Sequence, residues 1–149
     1  MPDVFAMLIE EHAKAKQLIA KLQKTGSGAV KTREQTFMQL KDALDMHMRF
    51  EEKVVYPAFK KLPDLKERVP EAVEEHAEAK ALLRKLERAD KADEKWLDLL
   101  QELSDAIEHH VDEEENEIFP VAREEMGEGQ PEDMASKYRA MKRERKQAA

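Results

Sequence analysis

The chain has 149 residues, of which 40 % are charged, and it carries a formal net charge of −7 with no cysteine. The lack of cysteine excludes disulfides, thiolate metal sites and thiol nucleophiles, and the acidic balance argues against nucleic-acid binding, which usually needs a basic surface. The N-terminus does not resemble a signal peptide and no apolar stretch approaches the ~20 residues of a membrane span. We therefore expect a cytoplasmic protein without membrane association.

Apolar residues spaced three and four apart predict four amphipathic helices. The second helix should end near Pro57, and Pro120 should kink or close the fourth. Short connections make neighbouring helices antiparallel, so the predicted fold is all-α, an up-down-up-down four-helix bundle with a short C-terminal helical extension. The predicted helices cover about 3–24, 33–58, 70–89 and 93–118.

The C-terminal extension, predicted over 127–149, differs in charge from the bundle predicted over 1–126. From residue 131 onward it has six lysines and arginines against three acidic residues. The spacing of Met134, Tyr138 and Met141 indicates a short fifth helix on the acidic bundle, although a frayed, solvated extension fits the pattern equally well. The basic side chains also suit docking of a protein partner.

The bundle segment is an internal repeat of 1–62 and 66–126. Each half contains a HisxxxGlu pair followed by a proline six residues after the glutamate, and each is preceded by a lone histidine within Glu-Glu-His-Ala. A one-residue gap aligns the halves. The repeated histidines and glutamates are His12, His47 and Glu51 in the first half and His76, His110 and Glu114 in the second.

This repeated set predicts a site for two metal ions. HisxxxGlu spacing places both side chains on one helix face, one turn apart, so the imidazole can bind one ion while the carboxylate reaches the other. A single such pair is usually a surface hydrogen bond, but these pairs lie on apolar stripes, where unpaired carboxylates are costly. Imidazole and carboxylate without sulfur suit Fe, Mn, Zn or Cu better than Ca or Mg.

Two alternatives to this ligand set can be compared with the sequence. His109 could pair with Glu113, but only His110 precedes Pro120 by ten residues, as His47 precedes Pro57. We therefore expect His109 to face solvent or a neighbouring helix. Ferritin-type sites use Glu-x-x-His, and no acidic residue stands three positions before any histidine of the chain.

The segments HMRFEEKVVYP and HVDEEENEIFP, with the two Glu-Glu-His-Ala-x-Ala-Lys segments, resemble the hemerythrin-like HHE cation-binding family. The resemblance covers roughly residues 1–126. It implies a four-helix bundle around a non-heme, oxo- or hydroxo-bridged pair of Fe ions, for which Zn or Mn could substitute. It also implies that the four repeated histidines are terminal ligands and that Glu51 and Glu114 are bridges.

The sequence departs from the oxygen-carrying members at Lys80, where those have a fifth histidine. The expected centre therefore has open positions on both ions, and we expect Lys80 and its repeat partner Lys16 to be solvated at the rim of the bundle. Tyr56 could supply a further ligand, although an ordinary core tyrosine is favoured over that role. Its repeat counterpart is Phe119.

Open positions favour a protein that binds or reacts with O2, NO or peroxide, in sensing, detoxification or iron homeostasis. Whether there is enzymatic turnover with peroxide or NO stays open, and no residue is assigned as catalytic. One alternative is a metal store or buffer without turnover. The other is a structural interaction module in which the metal site only stabilises the bundle.

Overall fold

The computed structural model describes residues 2–148, which are mostly helical and contain no strand. Two five-residue π-helical turns, π1 (Glu51–Val55) and π2 (Glu114–Ile118), each continue a long helix into a short one. The α-helices within the described residues are α1 (Val4–Gln23), α2 (Val30–Phe50), α3 (Tyr56–Phe59), α4 (Arg68–Arg88), α5 (Trp96–Glu113), α6 (Phe119–Glu125) and α7 (Gln130–Ala148).

The four long helices α1, α2, α4 and α5 form the bundle. Helix α1 packs against α2 and α4 against α5, and contacts of α1 with α5 and of α2 with α4 close the arrangement. This confirms the predicted all-α, up-down-up-down four-helix bundle with a C-terminal helical extension. No helix in the described part of the chain is long and apolar enough to cross a membrane.

The apolar core of the bundle is divided into two halves. Leu8 and Ala72 belong to the half that lies near α3, α6 and α7, whereas Ala15 and Ala79 belong to the half near the α1–α2 and α4–α5 loops. One helical turn beyond Leu8 on α1 lies buried His12, and the same spacing on α4 puts buried His76 between Ala72 and Ala79. Polar side chains therefore occupy the boundary between two hydrophobic clusters.

Both prolines predicted to end helices lie one residue beyond the start of a new α-helical segment. The N–H of Tyr56 donates to the carbonyl of Glu51, and the N–H of Phe119 donates to that of Glu114, five residues earlier in each case. Proline lacks an N–H and crowds the carbonyl four residues before it, and a wider turn relieves that crowding. The fourth predicted helix corresponds to α5, π2 and α6, which together continue past the predicted end at 118 to Glu125.

Helix α7 is an ordered part of the fold, which rejects the frayed alternative. It packs on α1 and α2, and its Met134, Ala135 and Tyr138 are buried in the same apolar half as Phe50. The rings of Phe50 and Tyr138 stack with centroids 4.0 Å apart. The helix is longer than the short segment predicted, and the division into 1–126 and 127–149 stays a prediction.

Candidate metal centre

The six repeated side chains meet at the boundary between the two core halves. Their potential ligand atoms form two groups, within each of which all atoms lie within 4.8 Å of one another, and Glu51 belongs to both groups. A carboxylate shared in this way is placed to bridge two ions. The first group consists of His12, His47, Glu51 and Glu114, and the second of Glu51, His76 and His110.

Each glutamate lies between histidines from two different helices. Glu51 Oε1 is 3.2 Å from His47 Nε2 and 3.1 Å from His76 Nε2. Glu114 Oε1 is 3.2 Å from His12 Nε2 and 3.5 Å from the Nε2 of His110. All four imidazoles therefore direct Nε2 toward the same small volume, as the approximate twofold symmetry of the repeat requires.

The two central carboxylates are fully buried and incompletely hydrogen-bonded. Glu51 and Glu114 are each 0 % exposed, and within residues 2–148 Glu51 Oε2 and Glu114 Oε1 have no hydrogen-bond donor. Burial raises the pKa of the Glu51 carboxyl, but the positive charge of His47 and hydrogen bonds from its neighbours bring that pKa well below the usual range. Buried anionic oxygens without donors are costly, and the histidine and carboxylate donor set suits a transition-metal cation.

Every histidine of the centre has a carboxylate partner on its outer nitrogen. The N–H at Nδ1 donates to the carboxylate over 2.6 to 2.8 Å. This interaction holds the Nδ1 proton on the outer side of each ring and directs Nε2 at the centre, the usual arrangement around metal-bound imidazole. The pairs are His12 with Glu115, His47 with Glu11, His76 with Glu52, and His110 with Glu75.

These four partners were not identified from the sequence, although a signal for them is present. Glu11 and Glu75 immediately precede the lone histidines, and Glu52 and Glu115 immediately follow Glu51 and Glu114. Each doubled glutamate is thus repeated at the same position in both halves. In a chain so rich in glutamate, only the repeat distinguishes these four from solvated surface residues.

Carboxylates beside both ring nitrogens raise the pKa of two inner histidines, His47 and His110. Burial lowers the pKa of His47, but Glu51 and Glu11 outweigh it and raise that pKa to about 10. Burial likewise opposes protonation of His110, whereas Glu114 and Glu75 raise its pKa to about 11. A cation that binds here must compete with protons for these histidines.

Tyr56 is part of the site and is not the ordinary core tyrosine expected from the sequence. Its hydroxyl donates to Glu114 Oε2 over 2.7 Å and lies 3.1 Å from His76 Nε2 and 3.3 Å from His110 Nε2. Tyr56 directly follows the π1 turn, which the sequence did not predict. Its counterpart Phe119 stacks near His12, with ring centroids 6.2 Å apart, and brings no oxygen.

A small cavity of about 90 Å³ borders all four histidines on the side facing the α1–α2 and α4–α5 loops. Its wall is mainly apolar and repeats between the two halves of the chain. The volume corresponds to a few water molecules, so only a small molecule fits. The repeated wall residues are Ala15 and Ala79, Ala43 and Ala106, Leu44 and Ile107, and Met48 and Val111.

Lys80 and His109 lie outside the inner cluster but contact its outer carboxylates. Lys80 Nζ binds Glu52 Oε2 over 2.9 Å, so this lysine is not merely solvated as expected. His109 is 67 % exposed, and its Nε2 lies 3.0 Å from Glu113 and 3.3 Å from Glu75. The structure therefore brings His110, and not His109, to the inner cluster.

Comparison with known proteins agrees with this geometry. The sequence model of the hemerythrin HHE cation binding domain matches residues 3–122. The structure resembles the crystal structure of a hemerythrin HHE cation binding domain-containing protein from Mycobacterium kansasii, with a TM-score of 0.81, 26 % sequence identity, and coverage of 95 % of this chain and 85 % of that chain. No curated protein sequence is significantly similar to the chain. The chain belongs to the hemerythrin HHE cation-binding family.

Proposed function

We propose that this chain is a non-heme di-iron protein that binds or reacts with O2, NO or peroxide. The observation that carries the proposal is the pair of buried carboxylates, Glu51 and Glu114, each within 3.5 Å of Nε2 atoms from two different histidines. Two ions bridged by these carboxylates would neutralise oxygens that otherwise lack donors. When bound, a pair of iron ions supplies Lewis acidity and one-electron redox chemistry that the side chains alone do not have.

In this proposal the inner side chains divide between two ions. His12 and His47 would hold one ion, and His76 and His110 the other, with Glu51 and Glu114 shared between them. The phenol oxygen of Tyr56 lies beside the second pair only. The outer glutamates keep each imidazole in the tautomer that can bind metal.

The cavity supports a small molecule as the ligand of this centre. Its volume of about 90 Å³ and its apolar wall beside four histidines favour a small ligand over a sizeable organic substrate. Diatomic gases and hydrogen peroxide are small enough to enter. Because the cavity borders both pairs of histidines, such a molecule would have access to either ion from this side.

The proposal is tested by loading the chain anaerobically with Fe(II) and following its absorption spectrum after addition of O2, NO or H2O2. We expect a saturable spectral change with at least one of them. Ala79→Leu should weaken that response by filling the cavity, whereas Ala77→Leu, an exposed position on the same helix, should not. Iron that exchanges freely, without spectral change or faster peroxide decay, would contradict the proposal and favour a metal store.

A further inference from the structure

Helix α7 contacts the candidate metal centre through one outer carboxylate. The buried hydroxyl of Tyr138 donates to Glu11 Oε1 over 2.5 Å, and the same oxygen accepts the Nδ1–H of His47 over 2.8 Å. Lys142 Nζ lies 2.6 Å from the other oxygen of Glu11. A continuous chain of contacts thus links α7 to an imidazole of the inner cluster.

The Tyr138 hydroxyl is held in place by its surroundings. The side chain is 0 % exposed, and its ring stacks on Phe50 with an interplanar angle of 3°. A ring packed in this way has no other rotamer available at low cost. The hydroxyl therefore stays on Glu11 as long as α7 remains docked.

The equivalent carboxylate in the other half of the chain has different neighbours. Glu75 accepts from His110 Nδ1 over 2.6 Å, but its second oxygen faces the exposed His109 at 3.3 Å. Among the described residues no tyrosine or lysine binds Glu75 as Tyr138 and Lys142 bind Glu11. On that side a lysine, Lys80, binds Glu52, the outer partner of His76, but no tyrosine hydroxyl in the described part of the chain does. The six inner side chains are arranged alike in the two halves of the chain. The groups around the carboxylates that bind the histidines from outside differ between the halves.

We propose that Tyr138 is a positioning residue that acts through Glu11 on His47 and tunes the metal position that His47 would share with His12. This inference rests on the proposed function, since it requires bound metal. A carboxylate that also accepts from a hydroxyl and an ammonium group attracts the Nδ1 proton of His47 less strongly. The imidazole is then a weaker electron donor to its metal ion, because outer hydrogen bonds set ligand basicity.

The helix would therefore raise the reduction potential of the ion on the His47 side and weaken its retention, compared with the same ion in a chain that lacks the Tyr138 hydroxyl. The segment that does this lies beyond residues 3–122, which match the family model. The two residues of this segment that contact Glu11, Tyr138 and Lys142, both lie on α7. The C-terminal extension is thus assigned a role in tuning the centre, in addition to covering the apolar core.

The test uses Tyr138→Phe in the full chain, which keeps the stacked ring and removes the hydroxyl. We measure the midpoint potential of the iron-loaded protein and the release of iron to a chelator. We expect a lower potential and an approximately threefold to tenfold slower release of one of the two ions, below the 10–100-fold typical of removing a ligand's direct hydrogen-bond partner. Lys142→Met should shift the potential in the same direction.

Two comparisons separate positioning from simple packing. Arg145→Met breaks an ion pair of α7 with Asp42 without touching Glu11, and should leave the potential and release unchanged. In a Glu11→Gln background, Tyr138→Phe should have no further effect on either quantity. A change in thermal stability alone, or an effect that persists without the Glu11 carboxylate, would overturn the inference. A chain that takes up no iron would contradict the proposed function itself.

Discussion

Tyr56 and Phe119 occupy equivalent positions in the two halves of the chain, each directly after a π-helical turn, but only Tyr56 presents an oxygen to the histidine and glutamate cluster. Its hydroxyl lies within 3.3 Å of both His76 Nε2 and His110 Nε2. The Phe119 ring instead lies near His12. The candidate metal centre is therefore nearly symmetric in its histidines and glutamates and asymmetric in its phenol.

Tyr56→Phe tests whether the phenol binds metal. With ferric iron bound, a phenolate ligand gives a visible charge-transfer band, and we expect this variant to lose that band. Tyr138→Phe, which removes a hydroxyl that does not face the inner cluster, serves as the control and should retain it. Without metal, Tyr56→Phe should lower the free energy of unfolding by about 1–3 kcal/mol, since Glu114 loses a buried donor. An unchanged visible spectrum would show that Tyr56 does not bind iron.

Glu115→Gln tests the role of the outer carboxylates. The Glu115 side chain accepts the Nδ1–H of His12 over 2.7 Å, and an amide is a weaker acceptor. We expect metal affinity to fall by about tenfold, the lower end of the range for loss of such partners, as measured by competition with a chelator. Glu117→Gln, on the same π turn but exposed, is the control. Equal affinities in both variants would rule out a role for this hydrogen bond.

The pH dependence of the metal-free chain follows from its shifted groups. The pKa values of His47 and His110 rise from 6.5 to about 10 and 11, so the stability they contribute is complete below pH 6.5 and is lost as pH rises toward those values. Burial raises the pKa of Glu11, but His47 and the donors Lys142 and Tyr138 lower it from 4.5 to about 2, so its contribution disappears as pH falls through that interval.

We therefore expect the metal-free chain to be most stable between pH 4.5 and 6.5. Thermal unfolding should show a melting temperature that declines from pH 6.5 toward pH 10 without metal and declines much less with metal, since the cation replaces the protons. Metal binding itself should strengthen with pH over this range. A melting temperature of the metal-free chain that climbs with pH there would refute these assignments.

Deleting residues 131–149 should destabilise the bundle and alter its metal centre together. Met134 and Tyr138 are almost fully buried, and burial of such a side chain contributes about 1.5–3 kcal/mol. We expect the free energy of unfolding in urea to fall by several kcal/mol, and the spectrum of the iron-loaded protein to shift. If the segment served only to dock a partner, the free energy of unfolding and the spectrum would both stay unchanged. That result would contradict this prediction.

The sequence predicted the bundle and the residues that meet at its centre because both depend on periodicity. Apolar spacing marks helix faces, and the duplication of His47 and Glu51 as His110 and Glu114 identifies one shared location. The π turns were missed because their i→i−5 hydrogen bonds leave no periodic signal over five residues. The position of Tyr56 depends on such a turn, and the docking of Tyr138 on Glu11 depends on packing between residues 127 positions apart.

Metal content is the most direct test of the central claim that two ions share Glu51 and Glu114. The chain should be reconstituted with Fe(II) under anaerobic conditions, freed of excess iron and analysed for iron per protein, beside a His47→Ala variant. We expect about two iron ions per chain, as a dinuclear centre requires, and loss of the visible bands of the oxidised protein in the variant. A chain that retains no iron and gains no colour, or that binds equal iron in both forms, would contradict the account.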